Sequence, residues 1–327
     1  MSASAPFSPS VTIEARSPHP PEGFDALAIL PTFRRPEGLL RTLASLRAQE
    51  TGRRLAVIVM ENDAEGREGL HAARALFEDG AIPGLILVAH ERGNCSAYNA
   101  GFSTALAEFP AMRHCLVIDD DEAAGPAWVE RMAGTLERLG VDVVGGPQVP
   151  VFEGGGGEAL ARHPVFRPPY AATGTVQILY SSGNLCLSRA LIERMGDPMF
   201  DTAFNFTGGG DSDFFSRAAL QGARFGWCAE APVAETVPAR RKEWSWIHAR
   251  SLRNGALSSE IQRRREGRLR SAAKTAALLL AAPPRAIVQT LRQRSLLIGL
   301  YPLQIALGRL QGEFGRIGEQ YRKPEAN

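Results

Sequence analysis

The run Asp119-Asp120-Asp121-Glu122 follows the apolar stretch 115–118 without a break. Adjacent aspartates repel one another, and a cation is the usual way to offset that cost. In extended backbone Asp119 and Asp121 point to the same side, so an acid-x-acid spacing can address one ligand. Hard divalent ions such as Mg²⁺ or Mn²⁺ take carboxylate oxygens and bridge to phosphates. The same residues also suit a solvated acidic loop that caps a helix starting near Pro126. A second cluster is Gly208-Gly209-Gly210-Asp211-Ser212-Asp213. Its glycines permit unusual backbone angles and close approach to a ligand. Asp213 reads as an N-cap for a helix over 214–220. Asp211 has no such structural task, which makes it the candidate general base. The stretch from Gly93 to Gly101 opens a helix with small and polar residues, whose free N–H groups suit either a phosphate or a plain cap. Walker A, G-x-G-x-x-G and Ser-His-Asp patterns are absent from the chain.

These residues need strands to hold them. Apolar runs at 26–30, 55–60, 85–89 and 115–118 read as buried strands, with helical spacing at 37–49, 68–78 and 96–109. A further strand is read at 141–144, followed by the glycine-rich loop 153–158, a candidate for a mobile rim or a neutral insertion. Strands alternating with helices imply βαβ units and a mostly parallel sheet. In such sheets ligands lie beyond the carboxyl ends of the strands. Those ends carry Pro31-Thr32-Phe33-Arg34-Arg35-Pro36, then Glu61-Asn62-Asp63, then His90 to Asn94, and finally the aspartates.

The ordered set comprises Pro31-Thr32-x-Arg34-Arg35-Pro36, Glu61-Asn62-Asp63, Asn99-Ala100-Gly101, Asp119 to Asp121 with Pro126-x-Trp128, Gly145-Gly146-Pro147, Gly183-Asn184 and Gly208 to Asp213. With Val237-Pro238-x-Arg240-Arg241, Trp244 and Trp246 it resembles the GT-A family 2 glycosyltransferases, especially the bacterial exopolysaccharide (succinoglycan-type) branch, over residues 24–255. The resemblance implies a GT-A fold, a Rossmann-like and mostly parallel sheet flanked by helices. It implies a nucleotide-diphosphate sugar donor, usually UDP-linked, and Mg²⁺ or Mn²⁺ held by Asp121 and Asp119. Donor binding would fall to Pro31, Thr32, Arg34, Glu61, Asp63, Asn99, Asp119 and Asp120. Asp211 would be the base of an inverting displacement. Asp213, Arg240, Arg241 and Trp244 are candidates for contact with the acceptor or diphosphate. For the last three, indole stacking on sugars and Arg–phosphate pairing stand beside simple packing of a helix. Two positions depart from the family pattern. Gly210 replaces the first acid of the Glu-Asp pair, and Tyr98 stands where many members carry Arg; Arg92 or Arg34 would then supply the positive charge.

The chain has 327 residues, 44% of them hydrophobic and 22% charged, which excludes a wholly disordered or collagen-like chain. Its net charge of +2 conceals a division. Residues 1–249 hold 22 Lys/Arg and 30 Asp/Glu, whereas residues 250–327 hold 15 and 5. Residues 1–23 read as a flexible leader without a signal peptide, 24–240 as the catalytic domain and 241–327 as a basic amphipathic helical extension. Four separated cysteines read as free thiols in a reducing cytoplasm. Apolar runs near 275–282 and 296–307 are too short or interrupted to span a membrane. Beside basic residues they suit an anionic membrane surface or a helical pair covering an apolar face. A lipid-linked saccharide acceptor follows from the family alone. A nucleotidyltransferase and a non-catalytic sugar-nucleotide binder are the alternatives; nothing in the basic tail has the form of a nucleic-acid motif.

Overall fold

A computed structural model describes residues 10–319 and 322. Its elements begin with β1 (Val11–Arg16), β2 (Ala26–Thr32), α1 (Pro36–Arg47), β3 (Leu55–Glu61), α2 (Glu68–Glu78), β4 (Gly84–Ala89), α3 (Asn94–Glu108) and β5 (His114–Ile118). They continue with β6 (Glu122–Ala124), α4 (Trp128–Leu139), β7 (Val143–Gly145), β8 (Gln148–Phe152), β9 (Gly174–Val176), β10 (Asn184–Ser188) and α5 (Arg189–Met195). The rest are α6 (Gly210–Leu220), β11 (Phe225–Trp227), β12 (Val233–Val237), α7 (Trp244–Glu266), α8 (Arg268–Gln293), α9 (Leu296–Gly299) and α10 (Tyr301–Glu313).

Two compact units emerge. The first takes the chain as far as Gln148, then Tyr170–Asn205 and Gly210–Glu235. Its main sheet has nine strands in the order β1-β4-β3-β2-β5-β10-β7-β11-β9. Strands β2 to β5 run parallel, because a helix returns the chain after each of β2, β3 and β4. Their side chains are buried on both faces, which explains the unbroken Ala-Leu-Ala-Ile-Leu and Ala-Val-Ile-Val-Met runs. Strand β10 is antiparallel to both β5 and β7. The register sets Thr32 beside Glu61 and Glu61 beside Val88, so three strand ends open at one edge.

The leader expected over residues 1–23 is corrected at Val11–Arg16, which pairs antiparallel with β4. An edge strand needs only short alternation to bury one face, so it shows no continuous apolar run. The leader's residues 1–9 lie outside the described residues. All four cysteines are free and buried.

The second unit takes Val149–Pro169, Phe206–Gly209 and the chain from Thr236 onward. The expected boundary at 240/241 therefore moves a few residues earlier, and two inserted segments join the helices. Within this unit α7 and α10 meet backbone to backbone. A Cβ on Gly255 would lie 2.3 Å from the Ile305 carbonyl oxygen, and one on Gly308 would lie 1.9 Å from that of Leu252. Arg309 is buried beside them, donating to Thr275 Oγ1, Ser258 Oγ and Gln262 Oε1 at 3.2, 2.8 and 2.8 Å. Helix α8 continues through Pro283 and Pro284, the prolines that close the apolar run 275–282. Both prolines lie on its exposed side, where displaced carbonyls can meet water. Residues 320, 321 and 323–327 of the predicted extension lie outside the described residues.

Candidate active site

Each aspartate after β5 has a different set of partners. Asp119 Oδ1 accepts from the phenol of Tyr98 at 2.8 Å. Asp120 Oδ2 accepts from Thr32 Oγ1 at 2.9 Å, and its Oδ1 accepts from Arg35 at 3.2 Å. Arg35 also reaches Asp121 Oδ2 at 2.9 Å. Gly38 makes this approach possible, since a Cβ there would meet the Asp120 carbonyl oxygen at 2.4 Å. Glu122 is buried, accepting from the Asp119 amide at 2.9 Å and from Gln148 Nε2 at 2.6 Å.

This cluster holds more acid than its cations offset. Burial, reinforced by Asp121, pushes the Asp119 carboxyl up to about 7. Burial pushes Asp120 up to about 6 although Arg35 pulls the other way. Glu122 is driven well above the carboxylate range by burial and by Asp119. Gly183 packs tightly against the group and leaves no room for a side chain: a Cβ there would lie 2.4 Å from Gln148 Nε2, 2.8 Å from Glu122 Oε1 and 3.0 Å from Asp119 Oδ2.

Among the described residues no group of three or more His, Cys, Asp or Glu side chains forms a ready metal cage. Magnesium is commonly held by one or two carboxylates with phosphate oxygens completing the shell. The hard oxygen donors Asp119 and Asp121, in surplus over nearby cations, fit that second arrangement.

The end of β3 divides its tasks. Glu61, expected to contact the donor, turns inward. Its carboxylate accepts from the amides of Asp63 at 2.9 Å and Leu70 at 3.1 Å, fixing the start of α2. Burial raises its pKa. Asp63 instead pairs with Arg34, Nε to Oδ2 at 2.6 Å, and the guanidinium holds its carboxyl below the ordinary value. Arg34 adopts φ 55, a turn that carries the chain from β2 toward α1. The guanidiniums of Arg34 and Arg92 lie 5.1 and 5.0 Å from the Phe33 ring centroid, so both candidate cations gather at this rim. Pro31 sits inside β2, in register with Met60.

Asn99 is likewise structural in its contacts. It donates to the Phe200 carbonyl at 2.8 Å and accepts from the Phe200 amide at 2.7 Å. The rings of Tyr98, Phe200 and Phe214 then stack in series, with centroids 5.2 and 4.9 Å apart. Through this ladder α3 links the aspartates to α6, the helix that carries Asp211.

Helix α6 begins at Gly210, four residues before the predicted start, so Asp213 is not its N-cap. Asp213 lies buried in the first turn and pairs with Arg217 at 2.7 Å, the i,i+4 partner. Asp211 is half-buried at the helix opening and accepts from the Ser212 amide at 2.7 Å. The missing acid at Gly210 has a steric counterpart: a Cβ there would lie 2.4 Å from Cys95 Sγ. Burial, together with Asp211, Asp201 and Asp213, pushes that thiol up to about 12.

Sequence reasoning missed several contributors. Asn62 donates to the Ala89 and Glu91 carbonyls at 3.1 and 2.8 Å and accepts from the Gly93 amide at 2.7 Å, fastening the loop before α3. Asn184 accepts from Trp128 Nε1 at 2.8 Å and donates to the Pro147 and Ala231 carbonyls, which explains three of the quoted motifs as one bracket. Arg240, Arg241 and Trp244 belong to the second unit. There Trp246 packs, stacked on Phe166 with Arg241 over its ring, while Trp244 is exposed and stacked on His248. Lys242 donates to the carbonyls of Glu153 and Gly155, tying down the glycine-rich loop.

A mostly parallel sheet whose strand ends gather aspartates, with a further acid at a helix opening, defines a GT-A glycosyltransferase fold. The model of the family described as Glycosyl transferase family 2 matches residues 27–197. The chain belongs to that family and is a glycosyltransferase. It is 32% identical over 249 residues to the succinoglycan biosynthesis protein ExoM of Rhizobium meliloti (strain 1021), a match that covers 74% of this chain and 76% of that protein. Among solved structures it is similar to S. aureus TarS 1-349 in complex with UDP-GlcNAc. That likeness has a TM-score of 0.51 at 13% identity, over 89% of each chain, and supports the fold alone.

Proposed function

We propose that the enzyme moves a sugar from a nucleotide-diphosphate donor, UDP-linked, to the hydroxyl of a saccharide acceptor in bacterial polysaccharide synthesis, with inversion at C1. The observation that carries this reading is the surplus of buried acid at the end of β5, beside the Thr32 and Arg35 anchors. Asp121 and Asp119 would hold Mg²⁺ or Mn²⁺, which when bound supplies positive charge to the diphosphate leaving group. Asp63, Arg34 and Arg92 are suited by position to the nucleotide end, with Glu61 and Asn99 holding the backbone that presents them. Asp211 accepts the proton of the attacking hydroxyl as its oxygen bonds to the anomeric carbon and the bond to the diphosphate breaks. ExoM is described with succinoglycan biosynthesis, and that description favours this pathway class. The acceptor is read as a lipid-linked saccharide, met where the basic carboxy-terminal unit is drawn to the cytoplasmic face of an anionic membrane.

The test is Asp211→Asn against a panel of UDP-sugars. Transfer should fall by on the order of a thousandfold or more while calorimetric UDP binding changes by less than about twofold. Retained turnover would remove Asp211 as the base, and loss of UDP binding in the same protein would make it a donor residue instead.

A further inference from the structure

Helix α8 buries Ser271, Thr275, Ala282 and Ala286 against its own unit. Ser271 and Thr275 both donate to Glu313 of α10, which fixes that face inward. The opposite face is apolar and open. Leu269 is 88% exposed, Leu280 81%, Ile287 63% and Leu291 73%. Their spacings of eleven, seven and four residues place all four within about 40° of one another on a helix turning about 100° per residue. The stripe runs for roughly 33 Å at 1.5 Å per residue. Arg268, Arg270, Lys274, Arg285 and Arg292 are all exposed on the same helix, which carries no acid at all. At the same turn angle Arg270 falls about 80° from the centre of the stripe and the other four about 120 to 140° from it, so all five lie outside the apolar stripe. Long basic side chains so placed can reach phosphates while the apolar face enters the acyl boundary.

We infer that α8 is an in-plane membrane helix, inserting the Leu269–Leu280–Ile287–Leu291 face into an anionic leaflet with its cations on the headgroups. The inference rests on the membrane placement proposed above and names the element and face responsible. Charge selects the occupant. An exclusively basic helix flanking an apolar stripe complements a negatively charged lipid surface, whereas stacked on a second copy of itself it would bring like charges together. Insertion is shallow, since among the described residues no helix is long and apolar enough to cross a membrane.

Co-sedimentation of the full chain with phosphatidylcholine vesicles, with and without phosphatidylglycerol, tests this. Wild type should bind only the anionic vesicles, and added salt should weaken binding. Leu280→Ser with Ile287→Ser should lower the partition coefficient by on the order of a hundredfold. Arg270→Glu with Lys274→Glu should lower it by a comparable factor, and circular dichroism melts should stay like wild type. Vesicle binding without substrate is independent of catalysis, so loss of UDP binding alone would sink the donor assignment and leave α8 untouched. Three results would overturn the inference. They are wild type failing to bind anionic vesicles, folded variants binding as well as wild type, and a concentration-dependent dimer abolished by the leucine and isoleucine changes.

Discussion

Arg35→Gln isolates the cation that offsets the aspartate cluster. Its guanidinium spans Asp120 and Asp121 at 3.2 and 2.9 Å, and the three side chains are only 27%, 8% and 20% exposed. Breaking a pair buried to this degree costs about 3 kcal/mol, mostly because the stranded carboxylates lose their partner. In a domain of this size that corresponds to a fall in Tm of about 6 to 12 °C. The loss should depend on pH, with a definite sign. Asp120 already titrates near about 6 in the folded protein, above the ordinary 3.8, and losing Arg35 raises it further. A carboxyl with a raised native pKa binds more protons folded than unfolded, so its folded state loses stability as pH climbs through that range. The gap between wild type and variant should therefore be small near about pH 5 and full by about pH 8. Screening should do little, because the pair is largely shielded from salt. Differential scanning calorimetry at both pH values measures it. A drop below about 2 °C at the higher pH, or an equal gap at both, would refute the view that Arg35 neutralises these acids.

Two further changes probe other parts of the molecule. Gly210→Ala should destabilise by about 1 to 3 kcal/mol in urea unfolding, because the new methyl meets Cys95 Sγ at 2.4 Å, and Cys95→Ala in the same chain should recover most of the loss. His163, buried in the second unit, has its pKa lowered by burial to about 4 against the ordinary 6.5. An imidazole held neutral in the folded state loses about 3 kcal/mol of stability as pH falls from 6.5 to 4. His163→Phe should flatten that acid limb in denaturant titrations, and an unchanged slope would place the titration elsewhere.

The central strands were legible because each is buried on both faces and therefore apolar throughout. Their positions brought Thr32, Asp63 and the aspartates to one edge, as the strand ends implied. Individual roles were less legible, because a side chain's partner is often remote in sequence. Nothing near Glu61 announces that its oxygens cap Leu70, and nothing near Asn99 announces the Phe200 backbone. Tyr98 read as a lost cation, whereas it supplies a phenol to Asp119 across 21 positions. Gly210 read as a missing acid because Cys95, which fills the space, lies in a different segment. Strand β1 escaped notice because one buried residue, Ala15, suffices for an edge strand of that length.

The backbone contact between α7 and α10 bears on how this protein can be shortened. Leu252 and Ile305 present bare carbonyls to Gly308 and Gly255, so each helix forms the wall of the other. A chain cut before Tyr301 would expose a groove shaped for a partner it no longer carries, along with the hydroxyl and amide groups that Arg309 occupies. Expression boundaries drawn at the end of the family match, near residue 197, or at the basic segment near 265 should give insoluble material. The shortest well-behaved form should retain the chain through Phe314.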